Sequence, residues 1–139
     1  SSDLSRARAT AEIVARALGL TLGRVDADLR ERAFGCFEGL TREECSARYP
    51  DEWASYATDP HRIPPGGEDH DSLIERMRRG VLRAATALPS PVLAIGHGGA
   101  IRALVGALRG ARTGPVANGA GYRFAIEGGR FVAIEPFDS

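Results

Sequence analysis

His97 is the residue whose neighbours best equip it for chemistry. It stands in Gly96-His97-Gly98-Gly99, behind the apolar run Val92-Leu93-Ala94-Ile95 and ahead of an apolar stretch from Ala100 to Leu108. That order reads as strand, glycine turn, helix. A turn that leaves a strand and opens a helix presents unpaired backbone N–H groups and the positive end of the helix dipole, so it favours a bound anion. With glycine at 96, 98 and 99, a phosphate oxygen could reach both the imidazole and the backbone. Read alone, such a histidine is more often structural than catalytic, and the motif leaves both roles open. A lipase-type oxyanion reading of His97-Gly98-Gly99 would require a Gly-x-Ser-x-Gly elbow, which the chain does not contain.

Two further groups of reactive side chains carry less. Glu68, Asp69, His70 and Asp71 are consecutive, and adjacent residues on one loop rarely converge on one ion. Their spacing matches no zinc or calcium pattern, so helix capping and solvation account for them, and neither a metal nor another cofactor is expected. Cys36 and Cys45 are the only cysteines, too few for a disulfide framework in a chain of this size, and a reducing compartment is the default.

The elements that must position His97 follow from apolar spacing and end signals. Leu4, Ala7, Ala11, Val14 and Leu18 recur at helical steps and predict a helix from about 4 to 18, capped by Ser2 or Asp3 and ending near Gly19. Residues Leu20 to Asp28 predict a brief strand and a turn, and Leu29 to Gly35 a loop. Thr41 and Glu44 have capping-box spacing for a helix running toward Tyr49, which Pro50 interrupts before a second short helix around Trp53. The stretch from His61 to Gly67 reads as loop, with a helix start at Asp69 or Asp71. Leu73, Met77, Val81, Ala85 and Leu88 mark that helix's apolar face before Pro89. Tyr122 to Ile126 and Phe131 to Ile134 alternate around Glu127-Gly128-Gly129, a β-hairpin pattern.

Composition narrows the function classes. A chain of 139 residues with 43% hydrophobic and 26% charged residues fits one globular domain, 1–139, with one core. Its 18 basic and 18 acidic residues cancel, so no broad positive field draws nucleic acid or an anionic membrane, and any anion site is local. Every basic residue is arginine, whose planar fork suits phosphate, although a GC-rich genome accounts for most of them. No apolar run near 18 residues and no charged-then-apolar leader is visible, which makes the cytoplasm the default location. The chain opens Ser1-Ser2-Asp3, and its only methionine is Met77, so translation is expected to begin upstream of Ser1.

Three segments, in order, resemble the histidine phosphatase superfamily, the group that includes cofactor-dependent phosphoglycerate mutases and many small phosphatases. They are Ser2-Asp3-Leu4-Ser5-Arg6-Ala7 with Thr10-Ala11-Glu12; Leu29-Arg30-Glu31 with Phe34-Gly35 and Phe37-Glu38-Gly39; and Leu93-Ala94-Ile95-Gly96-His97-Gly98-Gly99. Pro65-Gly66-Gly67-Glu68 lies between the last two. The resemblance implies an α/β fold, a mainly parallel sheet flanked by helices in a three-layer sandwich. It also implies hydrolysis of a small phosphorylated substrate through a phosphohistidine. Arg6 would clamp the transferring phosphoryl group, Glu31 would serve as proton donor, and His97 would donate hydrogen bonds to the phosphoryl oxygens, with Gly98 lining the substrate site. Without the resemblance, Glu31 reads as a loop carboxylate paired with Arg30 or Arg32, and Arg6 as a solvated first-turn side chain. Glu68 matches a family Gly-Gly-Glu segment, but Asp69 replaces the usual serine, so its role stays open.

One departure is large. The family's Arg-His-Gly, whose histidine takes the phosphoryl group, is absent from these residues: the histidines are His61, His70 and His97, and the first two lie in the Pro/Gly-rich region. In the family that triplet ends the first strand, and a second strand ends just before the segment matching Ser2-Asp3-Leu4. Both strands would precede Ser1, in a β-α-β portion of at least ~30 residues. The chain is therefore expected to be the C-terminal portion of a larger domain missing its first strands. The short stretch from Cys36 to Gly67 offers little material for a closing lid, which favours phosphatase over mutase. The competing expectation is a non-catalytic family member that binds a phospho-ligand or a protein partner.

Overall fold

The computed structural model describes residues 1–59 and 62–137, which leaves His61 outside the described residues. They form two compact units, one of residues 1–31 with 74 onward, the other of residues 32–73.

In the first unit, helix α1 runs Ser5–Leu18 and buries Ala7 and Ala11. Gly19 closes it in the left-handed conformation (φ 65°), returning its N–H to the carbonyls of Ala15 and Arg16. The N-cap is Leu4, not Ser2 or Asp3. Ser1 and Ser2 are still extended here: the Ser2 N–H donates to Ile95 O (2.9 Å) and the Asp26 N–H to Ser1 O (2.8 Å). This engagement leaves Ser2 Oγ to accept the Leu4 N–H at 3.3 Å, short of the first helical turn.

The strands anticipated within Leu20 to Asp28 and at Val92 to Ile95 form no ladder among the described residues. Parallel pairing is confined to an isolated bridge between Ser2 and Asp26, so a parallel sheet is not formed by these residues. An open, largely apolar groove is lined by Val14, Leu20, Leu22, Leu88, Leu93 and Ile95 among others. Leu20, Leu22, Val25 and Leu93 are correspondingly exposed.

Helix α5, Gly98–Arg109, supplies the densest core, with Ala100, Leu104 and Val105 at 0%, 1% and 0% exposure. Strands β1 (Gly121–Glu127) and β2 (Arg130–Phe137) form an antiparallel hairpin with a bulge between Ala125 and Ile126. Its two-residue turn, Gly128-Gly129, has positive φ at both positions (55° and 74°), the geometry that matches strand twist and that glycine adopts without strain. Arg109 Nη2 donates to Ile134 O at 3.0 Å and ties α5 to β2.

Helix α4, His70–Ala87, begins in the second unit and continues through the first. From Arg76 onward its residues at i, i+3 and i+7 share one face. Arg76 donates to the carbonyls of Asp28, Arg30 and Glu31, Arg79 to the Asp28 carboxylate, and Arg83 to the carboxylates of Asp26 and Asp28. Gly80 lies between them, where an added Cβ would come 2.9 Å from Leu29 Cδ2 and 3.1 Å from Asp28 Cβ.

In the second unit, Thr41 and Glu44 form the anticipated capping box on α2, Arg42–Arg48: Thr41 Oγ1 accepts the Glu44 N–H, and Glu44 Oε2 accepts the Thr41 N–H. Pro50 does more than interrupt. It opens α3, Pro50–Thr58, at the first helical position, where its missing N–H would have no helical partner anyway. Phe37 packs edge-on against Trp53 (5.5 Å) and Tyr56 (5.6 Å), and Tyr49 closes the cluster at 6.2 Å. Cys36 and Cys45 are free thiols, and no helix among the described residues is long and apolar enough to cross a membrane.

Gly80→Ala tests the close approach of α4 to residues 28–29. Alanine gains about 1 kcal/mol of helix propensity, but forcing a methyl into a packed contact costs about 1–3 kcal/mol. The expected result is a net loss of about 1 kcal/mol in denaturant unfolding, with packing outweighing propensity; a stabilised variant would show that the contact relaxes freely.

Candidate active site

The site is built on the first turn of α5. His97 is its N-cap residue, in extended conformation (φ −130°, ψ 142°), and its side chain does not cap the helix. The ring is buried, and its Nε2 shares a hydrogen bond with Ser2 Oγ at 2.9 Å, the donor depending on the ring tautomer. Ser2 is itself wholly buried, so the extended start of the chain places one hydroxyl against the imidazole. Burial, and next the positive charge of Arg6, hold the His97 pKa below its ordinary value, with Arg76 acting in the same direction. Glu31 and Asp3 oppose that shift.

Glu31 reaches this turn by a different route. Asp26 Oδ1 accepts the Asp28 N–H (3.0 Å) and starts a single 3-10 turn, Ala27–Leu29, whose Leu29 is buried. The chain then leaves extended at Arg30, and Arg76 gathers the carbonyls of Asp28 (3.0 Å), Arg30 (2.8 Å) and Glu31 (2.9 Å). So held, Glu31 Oε2 accepts the Gly99 N–H at 3.0 Å. A side chain at 99 would prevent this, since its Cβ would lie 2.7 Å from Glu31 Oε1. One free donor of the α5 N-terminus is thus occupied by a carboxylate, the kind of group a helix dipole favours there.

Arg6 lies one residue into α1; its side chain is exposed and has no hydrogen bond or ion pair among the described residues. Its charge nonetheless reaches His97. Arg30 is committed elsewhere: it grips Asp3 through Nε (2.7 Å) and Nη2 (2.5 Å), which holds the Asp3 carboxyl below its usual range. Gly98 packs closely, with a Cβ there falling 3.0 Å from Val116 O.

The anticipated residues therefore divide clearly. His97, Gly98 and Glu31 meet at the start of α5, with Arg6 coupled to His97 by charge. Glu68 belongs to the second unit, where its N–H donates to Ala33 O (2.9 Å), its carbonyl accepts from Arg32 Nε (2.9 Å) and its carboxylate accepts the Ala33 N–H (3.4 Å). Asp69 serves as a helix cap, accepting from the Ser72 backbone (2.8 Å) and hydroxyl (2.6 Å). No group of three or more potential metal ligands occurs among the described residues. Sequence reasoning gave Ser2 no place at the site, reading it as a helix cap and as the start of the family-like segment Ser2 to Ala7, and it missed Arg76. The repeat of arginine at 76, 79 and 83 on one helical face was the available signal for the latter.

An imidazole, a carboxylate and the N-terminus of a helix meet here within the field of a guanidinium, a set suited to an anion. Because the folded His97 pKa lies below the unfolded value, its contribution to stability is complete above about pH 6.5 and is lost as pH falls through the folded pKa. Denaturant midpoints measured across pH should decline in that window, and His97→Gln should flatten the decline while sparing the carboxylate-driven limb below about pH 4. An unchanged profile in the variant would remove His97 from the titration.

Comparison with known proteins supplies the lineage. A family model described as the histidine phosphatase superfamily (branch 1) matches residues 1–135. A Bacillus subtilis protein named as an uncharacterized phosphatase, PhoE, is 36% identical over 110 residues, covering 78% of this chain and 51% of its own length. Glucosyl-3-phosphoglycerate phosphatase of Mycobacterium tuberculosis is 35% identical over 117 residues, covering 78% and 52%. The native structure of the mycobacterial glucosyl-3-phosphoglycerate phosphatase superposes with a TM-score of 0.77 at 27% identity, over 99% of this chain and 74% of that one. The chain thus spans about half the length, or less, of the curated relatives it matches: a Mycobacterium tuberculosis protein named as bifunctional is 46% identical over 80 residues, only 22% of its length. With a match over nearly every residue and relatives alike in sequence and fold, the chain belongs to branch 1 of the histidine phosphatase superfamily.

Proposed function

We propose that this chain is the C-terminal portion of a single-domain, metal-independent phosphatase that hydrolyses a small phosphate monoester through a phosphohistidine. The observation that carries this reading is the meeting of His97, Glu31 and the charge of Arg6 at the first turn of α5, since the three come from separate stretches of sequence. The relatives named as phosphatases support it.

The apolar groove beside residues 20–24 and 91–95 supports the reading that upstream strands pack there. A strand running into Ser1 would fill the space between 20–25 and 92–95, continuing the contacts that Ser1 and Ser2 already make to Asp26 and Ile95. The strand bearing the nucleophilic histidine would add to the remaining edge of 92–95. In the first half-reaction that histidine's nitrogen attacks phosphorus as the P–O bond to the leaving group breaks, and Glu31 donates a proton to the departing oxygen. Water then attacks phosphorus, its proton passes to Glu31, and the N–P bond breaks to release phosphate. Throughout, Arg6, His97 and the Gly98 backbone bind the non-bridging oxygens as their charge redistributes. The free thiols Cys36 and Cys45 suit a cytoplasmic setting.

The test uses the complete protein with p-nitrophenyl phosphate in the presence of a chelator. Turnover should proceed and leave an acid-labile, base-stable phosphoenzyme on rapid quenching. His97→Ala and Arg6→Ala should each lower kcat/KM by about 10²–10³. Turnover unchanged in both variants overturns the assignment. Tight phosphate binding without turnover in the wild-type protein would instead favour a non-catalytic, phospho-ligand-binding family member.

A further inference from the structure

We propose that Arg76 is a positioning residue for the proton donor, fixing where the Glu31 carboxyl meets the leaving-group oxygen. This inference rests on the reading of Glu31 as that donor. Arg76 is half-buried on the face of α4 turned to residues 26–31. Its Nη1 donates to Asp28 O and Arg30 O, and its Nη2 to Glu31 O, so it grips the main chain of this segment, where Arg79 and Arg83 hold the carboxylates of Asp26 and Asp28. Three carbonyls within four residues point at one planar cation, and the last belongs to the catalytic candidate itself.

The hydrogen bond to the Glu31 carbonyl decides the role. Arg79 and Arg83 hold Asp26 and Asp28, which start the 3-10 turn, so they set the fold of the segment. Beyond Leu29 the chain is extended and leaves that turn, with Arg30 drawn aside to Asp3. Between there and Gly99, Arg76 fixes the peptide of Glu31, and the Gly99 N–H fixes its carboxylate. A general acid must lie within hydrogen-bond reach of the oxygen it protonates, so a shift of this peptide moves the proton away from its target. Lysine cannot substitute geometrically, because an ammonium on a flexible stem lacks the rigid fork that spans three fixed acceptors.

Proton donation matters most for a poor leaving group, and this gives a readout that loss of stability would not produce. In the complete protein, Arg76→Gln should lower kcat/KM for phenyl phosphate, which reads the phosphorylation step, by about 10–100-fold, part of the 10²–10⁴ that general acids contribute. For p-nitrophenyl phosphate, whose leaving group departs readily unprotonated, kcat/KM should fall by less than about 3-fold under the same expectation. Arg76→Lys retains the charge sensed by His97 and should still show the leaving-group-dependent loss. It also serves as the informative variant if the glutamine form does not fold. Glu31→Gln is the benchmark. If Glu31→Gln shows the split and neither Arg76 variant does, the positioning role is overturned while the donor assignment stands. Wild-type behaviour of Arg76→Lys beside an impaired Arg76→Gln overturns it too, because charge alone would then suffice. Absence of the split in Glu31→Gln overturns the donor assignment, and this inference falls with it.

Discussion

The grip of α4 on residues 26–31 is the constraint on which the rest of the first unit depends. A short polar segment with a single 3-10 turn has little apolar surface of its own: within it, only Leu29 is a buried hydrophobic residue. Three arginines on one helical face supply what burial does not, satisfying the carboxylates of Asp26 and Asp28 and the carbonyls beyond them. Arg83 with Asp26 and Asp28 is the tightest part, with contacts of 2.7–2.9 Å, and Asp26 is nearly buried. Such a pair is costly to half-remove, because the remaining charge would be left desolvated. The glycine at 80 lets the helix come close enough for all three.

Much of this architecture was legible in the sequence, because local rules governed it. The periodicity from Leu4 to Leu18, the Thr41–Glu44 box and the double glycine of the hairpin each encode an element through neighbours a few residues away, and α1, α2 and the β1–β2 turn follow them closely. The turn at the candidate site was legible for a related reason. Glycines bracketing a histidine between an apolar run and a helix mark a tight turn at a helix N-terminus, and the turn at 96–99 does open α5.

What the sequence concealed was pairing at a distance. Serine before an amphipathic run usually caps it, so Ser2 reads as a cap; its commitment to Ile95 and His97 has no local signature. Arg76 was one arginine among eighteen, and only packing separates it from the solvated ones. Val92–Ile95 carries strand composition but acquires no ladder among these residues, since strand propensity reflects the neighbours a segment packs against.

The hydrogen bonds that define the site join residues far apart along the chain: Ser2 to His97 across 95 positions, Gly99 to Glu31 across 68. Closing loops of that length must be repaid by contacts that form only afterward, whereas the capping box at 41–44 closes over three residues. During synthesis, then, α1, α2 and α3 can emerge and form while Ser2 still lacks its imidazole and Glu31 its helix. The candidate site comes together only when α5 leaves the ribosome, so a nascent chain halted before residue 97 would carry most of the helices and neither of these long-range hydrogen bonds.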